Sequence, residues 1–133
     1  MIDSIIVPPT VHILTGQLVL LTTLLSTIVT LLLAVRRQSP GGRTRALLVA
    51  TQLVLMVQAL IGIKLLDQGA GPLQLYIHYV GGLAPLLFFL LFYWFPLRNE
   101  RLQRWVLPVV TAASFLFAVM AYFIGQGFVR GTL

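Results

Sequence analysis

The chain contains no cysteine. That excludes a disulfide staple, a thiolate-held zinc or iron–sulfur centre and a covalently attached c-type haem. Charge is scarce as well: Asp, Glu, Lys and Arg make up 9% of the 133 residues, against about 25% in soluble domains. Only three residues are acidic, Asp3, Asp67 and Glu100. So little charge excludes an ordinary water-soluble globule, and a hydrophobic content of 59% excludes disorder. What the chain does have is apolar length, with a mean hydropathy of +0.98. Its net charge of +6 would suit nucleic acid in a polar protein. In a chain this apolar, basic residues instead hold loops on one side of a membrane. No nucleic-acid partner is expected, and membrane lipid is.

A helix needs about 20 apolar residues to cross the hydrocarbon core. Four stretches reach that length, at about 11–35, 46–66, 73–97 and 106–125. Their connections are short and rich in Gly, Pro and Arg, which requires neighbouring helices to run in opposite directions. The expected fold is all-α: one transmembrane domain over residues 1–133, an up-down-up-down four-helix bundle. Met1 to Pro9 lacks the basic region that opens a signal peptide, so the first span is expected to remain in the mature protein. Arg36, Arg37, Arg43 and Arg45 fall in the first connection, and Arg98, Arg101 and Arg104 in the third. The positive-inside rule then puts both termini on the non-cytoplasmic side of a prokaryotic plasma membrane. Trp94 and Trp105 fit an aromatic belt at the inner interface. Pro108 is expected in the first turn of the fourth helix, and Pro85 to kink the third.

Polar side chains inside a membrane each need a reason. The outer halves of the spans hold His12, Gln17, Gln58, Lys64, Gln74, Tyr76, His78, Tyr79, Tyr122 and Gln126. The inner halves are nearly pure Leu, Val, Phe and Ala, apart from Thr and Gln52. His12 and His78 are the two histidines of the chain, on the first and third helices, which lie diagonally in a simple bundle. By the expected spans their depths differ by roughly 6 Å at 1.5 Å per residue, a gap that tilt or a longer first helix absorbs. Two imidazoles facing each other across a bundle core frame a slot for a flat macrocycle with a central metal. Thr15 and Gly16 follow His12, and Gly81 and Gly82 follow His78, at i+3 and i+4 on the same helix faces. Their small side chains leave room for a porphyrin, although small residues also serve close helix packing. Lys64 is placed either to meet a haem propionate or to snorkel to the interface. A zinc or copper site lacks a third ligand. A Ser–His–Asp catalyst lacks a placed acid and a serine motif.

The run Gln58-Ala59-Leu60-Ile61-Gly62, with His78 twenty residues after Gln58, resembles one four-helix half of the haem A synthase family. There a Gln-Ala-Leu-x-Gly run precedes the haem-ligand histidine of the next helix, and the preceding helix carries a second ligand histidine, which His12 matches. The resemblance spans about Pro9 to Leu97. It implies haem binding by His12 and His78. The family's catalytic glutamate before the first histidine is absent, since Pro8, Pro9, Thr10 and Val11 stand there. The arginine that commonly follows that histidine is Ile13, and the extracellular cysteine pair is missing.

Three functions are compatible with these residues. The first is a b-type haem protein with bis-histidine ligation by His12 and His78. Gly16, Gln58, Gly62, Lys64, Tyr79 and Gly82 would line or support the site. It would transfer electrons to a quinone, a cytochrome or a larger respiratory complex. The second is an accessory structural or pigment-binding subunit, its Phe-rich stretch from Leu87 to Phe92 facing lipid or a partner. The third is a minimal haem A synthase-like enzyme that dimerises to recreate two halves.

Overall fold

A computed structural model describes residues 5–69, 76–94 and 99–130, the side chain of Glu100 excepted. Its four helices are α1 (Pro9–Val35), α2 (Gly42–Asp67), α3 (Tyr76–Trp94) and α4 (Glu100–Val129). All four are long and apolar enough to cross a membrane. Leu60, Leu116 and Phe123 are each more than three-fifths exposed, as expected of side chains solvated by lipid tails. Gln74, Arg98 and residues 70–75 as a whole fall outside the described residues.

Helix boundaries follow local chemistry more closely than hydropathy. Pro9 opens α1 at a position where a missing N–H is harmless. The Asn99 side chain accepts hydrogen bonds from the backbone N–H groups of Arg101 and Leu102, at 3.0 and 3.2 Å, and so starts α4. The fourth helix therefore begins six residues before the expected 106 and runs past 125 to Val129. Polar residues at its start had the composition of a loop, but a capped helix tolerates them. Pro108 is consequently interior to α4 and buried, not in its first turn. Likewise Arg43 and Arg45 lie in the first turn of α2, and Arg101 and Arg104 in α4, not in connecting loops. Pro85 is buried within α3, which continues through it.

The helices arrange as a ring. α1 packs on α2 and α4, α3 packs closely on α4 and more thinly on α2, and α1 and α3 occupy opposite corners. On α1, buried positions run at alternating steps of three and four from Gly16 through Val19, Thr23 and Ser26 to Thr30, with Ala34 buried one further turn on. On α4 the same steps run from Leu107 through Thr111, Ser114 and Ala118 to Ala121, with Pro108 buried beside Leu107. This 3.5-residue repeat is the seam of knobs-into-holes packing. His12 precedes Gly16 by one more step, and Gly125 follows Ala121 by one.

In the half of the core away from the histidines, the threonines set apart in the sequence are joined by two serines at buried positions. Thr23, Ser26, Thr30, Thr51, Thr111 and Ser114 are fully buried. Ser26 pairs with Thr51 and Thr30 with Thr111, each at 2.9 Å across a helix interface. The hydroxyls of Thr23, Thr30, Thr51, Thr111 and Ser114 also bond to carbonyls one turn back, such as Thr23 to Val19 at 2.7 Å, so small polar residues fill a tight seam at little cost. The Phe-rich stretch is divided by helix periodicity. Phe89 is 1% exposed and Phe92 packs on the core, while Leu87, Leu90 and Leu91 face outward. The expectation of one exposed aromatic surface therefore gives way to a split between core and lipid faces.

Candidate functional site

The beginnings of α1 and α3 meet the final turns of α2 and α4 at one end of the bundle. There Gln68, just past α2, exchanges two hydrogen bonds with the backbone of Val7. Val7 N donates to its Oε1 at 2.8 Å and its Nε2 donates to Val7 O at 2.9 Å. That clasp ties the entry to α1 against the end of α2. Because α1 starts at Pro9, His12 is its fourth residue, deeper than the expected span implied, while His78 is the third described residue of α3. The depth mismatch disappears: the two imidazoles face each other with ring centroids 6.0 Å apart and planes at 68°.

Each imidazole lies against a glycine of the next helix. A Cβ at Gly62 would stand 3.2 Å from His12 Cε1, and one at Gly125 would stand 2.9 Å from His78 Cε1. His78 Nδ1 donates to the Ala121 carbonyl at 2.8 Å. A carbonyl can only accept, so the proton sits on Nδ1 and Nε2 keeps its lone pair. The edge of the Tyr79 ring meets His78 at a centroid distance of 5.7 Å.

Gln58 supports His12. Its Nε2 donates to the His12 carbonyl at 3.1 Å and lies 3.4 Å from His12 Nε2. Its Oε1 accepts from Thr15 Oγ1. These contacts fix which end of the carboxamide is which. His12 Nδ1 is buried without a hydrogen-bond partner. Nearby, Tyr122 Oη accepts from Gln17 Nε2 at 3.1 Å and from Gln126 Nε2 at 2.7 Å.

The glycines flanking the histidines divide the work differently from the common role expected of them. The space above Gly16 is taken by Gln58 Nε2 at 3.3 Å and the Tyr122 ring at 3.4 Å. Gly81 admits α4, with Ala121 Cβ at 3.0 Å and Phe117 O at 3.2 Å from its would-be Cβ. Gly82 alone among these has nothing within 4 Å. Lys64 is absent from the cavity lining and pairs with Asp67 at 2.7 Å.

A cavity of about 350 Å³ joins the two histidines and is lined from all four helices. His12, Gly16, Gln58, Gly62, His78, Tyr79 and Gly82 all border it, as do Ala121, Tyr122, Gly125 and Gln126. Its volume falls within the range of about 300–1,000 Å³ typical of ligand pockets. Among the described residues no group of three or more His, Cys, Asp or Glu gathers, so a metal here would need further ligands from a carrier. An imidazole–metal bond is about 2.0–2.1 Å for zinc. At similar bond lengths, two imidazoles on opposite sides of one metal place their ring centroids about 6 Å apart. The free His78 Nε2, the glycine cradles and the centroid separation fit a metal-centred macrocycle, while His12 Nε2 is engaged by the Gln58 amide.

Ala121 and Gly125 escaped the polar-residue reading because neither is polar. The heptad register of α4, which continues 118, 121, 125, was the signal that places them beside His78. The Gln68 clasp carries no such sequence signal. Compared with known proteins, the chain matches no family model, and no curated protein and no solved structure resembles it significantly.

Proposed function

We propose that this chain is a b-type haem protein of the prokaryotic plasma membrane, with His12 and His78 as the two axial ligands. It passes single electrons to a quinone, a cytochrome or a larger respiratory assembly. The observation that carries this reading is the pair of imidazoles presented from opposite corners of the bundle, 6.0 Å apart across a shared cavity. A haem iron with both axial positions filled supplies reversible one-electron chemistry. The chain's own residues do the positioning. Ala121 O holds the His78 tautomer by accepting from Nδ1, as backbone carbonyls commonly do behind metal-bound histidines. Gly62 and Gly125 let the Cε1 corners of the imidazoles come close to the neighbouring helices, and Leu55, Leu83 and Ala118 keep the lining apolar. The run from Gln58 to Gly62 and its resemblance to half of a haem A synthase support haem as the group. An up-down-up-down arrangement with both termini at one end is supported by the contacts of Gln17 with Tyr122 and Thr30 with Thr111, which run in opposite senses along α1 and α4; the arginines at the other end, Arg36, Arg37, Arg43 and Arg45, support placing both termini outside.

The test is an absorption spectrum of the detergent-purified protein after expression with ample haem. A Soret band with low-spin α and β bands on dithionite reduction is the expected result, and a colourless protein overturns the reading. His12→Ala and His78→Ala should each abolish the low-spin spectrum. Its retention in both would reject these two residues as the ligands.

A further inference from the structure

The two histidines are held unequally. His78 has an outer partner, Ala121 O at 2.8 Å, which leaves Nε2 free and aimed by the hydrogen bond on the other side of the ring. His12 has none: its Nδ1 is buried and unpartnered. Its Nε2 instead faces the Gln58 amide at 3.4 Å. That amide is fixed by Thr15 and by the His12 carbonyl, so its remaining N–H points at the His12 lone pair. Any metal must compete with Gln58 for the same electrons. Outer-shell partners of metal-bound histidines are commonly worth about 10–100-fold in affinity, so the ligand without one is the weaker.

We infer that His12 is a displaceable ligand, and that its side of the site opens to a small diatomic gas of the carbon monoxide or nitric oxide class. This rests on the haem reading above. Gln58 is the positioning residue: it receives the released imidazole through its amide N–H, while Gly62 leaves the ring space to lie back against α2. The exchange is a ligand substitution. With haem bound, His12 would give up its place to the gas one for one, and no electron or proton would change hands.

The experiment is a carbon monoxide titration of the haem-loaded, dithionite-reduced protein in detergent, followed at the Soret band. The wild-type protein should shift to a carbonyl spectrum. His12→Ala should give that same spectrum and bind at least about tenfold more tightly, because no ligand must leave. Gln58→Leu, compared with the wild type at equal haem occupancy by Soret absorbance, should bind carbon monoxide about five- to tenfold more weakly, the released imidazole having lost one hydrogen bond. A merely loosened site would move affinity the other way. A low-spin Soret band that does not respond to carbon monoxide keeps the haem reading and overturns this inference. So does a carbonyl spectrum in His12→Ala that differs from the wild type, which would mean His78 is the ligand that leaves. Tighter binding in Gln58→Leu overturns the role of Gln58. Absence of any Soret band removes the haem reading itself.

Discussion

Gly125 lies directly beneath His78: a Cβ at position 125 would stand 2.9 Å from His78 Cε1. That ring cannot simply swing aside, because its Nδ1 is tied to Ala121 O one turn earlier on the same helix. Gly125→Ala should therefore break the tether or push α3 from α4. Losing the outer-shell hydrogen bond should lower haem affinity by about tenfold or more. Gly62→Ala meets His12 Cε1 at a looser 3.2 Å, and His12 Nδ1 has no partner to lose. Its effect should be several-fold smaller. Haem titration of both apoproteins measures the difference, and equal losses would refute the tether argument.

Adjacent glycines on α3 make a sharper comparison. Gly81 would thrust a methyl to within 3.2 Å of the Phe117 carbonyl, which is backbone and cannot rotate away. Gly82 opens onto space with nothing within 4 Å. Gly81→Ala should destabilise the bundle by about 1–3 kcal/mol, the usual cost of overpacking. Gly82→Ala should be neutral or slightly stabilising, since alanine is the better helix former by about 1 kcal/mol. Unfolding in mixed micelles by both variants decides it. Similar destabilisation by the two would show that α3 faces α4 in another register.

Much of this arrangement was legible in the sequence, and the part that was not has a physical reason. Four apolar stretches and the diagonal pair His12 and His78 could be read from composition and span order, because burial in lipid leaves a strong length signal. Gln58 was singled out as a polar residue within a span, and it does contact His12. The roles of Gly16 and Gly81 were not legible. A glycine beside a histidine has the same sequence signature whether it clears space for a ligand, a glutamine or a neighbouring helix. Lys64 was open between two roles, and its contact with Asp67 three residues on is an ordinary helix-surface pairing. The early start of α4 turned on one side chain, Asn99, whose capping bonds outweigh the polar character of the turn that follows.

The buried hydroxyl pairs should bind helices together modestly. Thr30 and Thr111 meet at 2.9 Å across α1 and α4. Each also keeps a carbonyl partner on its own helix, Ser26 O at 2.7 Å and Leu107 O at 3.2 Å. Removing one hydroxyl therefore leaves no orphaned group behind. A double-mutant cycle of Thr30→Val and Thr111→Val should give a coupling of about 0.6 kcal/mol, the average for such bonds in membranes. A coupling indistinguishable from zero would mean that the pair is packing without a net hydrogen-bond contribution.

Orientation is the last consequence, and the absence of cysteine makes it directly measurable. Ile6 is 83% exposed just before α1, and Ser39 is exposed beyond its far end. Arg36 and Arg37 sit beside Ser39, with Arg43 and Arg45 in the next turn of chain. Cytoplasmic retention of such a cluster places Ile6 outside. In intact cells a membrane-impermeant maleimide should label Ile6→Cys and spare Ser39→Cys, and disrupted membranes should expose both. Since His12 lies only six residues after Ile6, the same result would place the histidine pair near the outer face. A redox partner would then reach it from the non-cytoplasmic side or through the outer leaflet. The reverse labelling pattern would overturn the charge argument and move the site to the inner face.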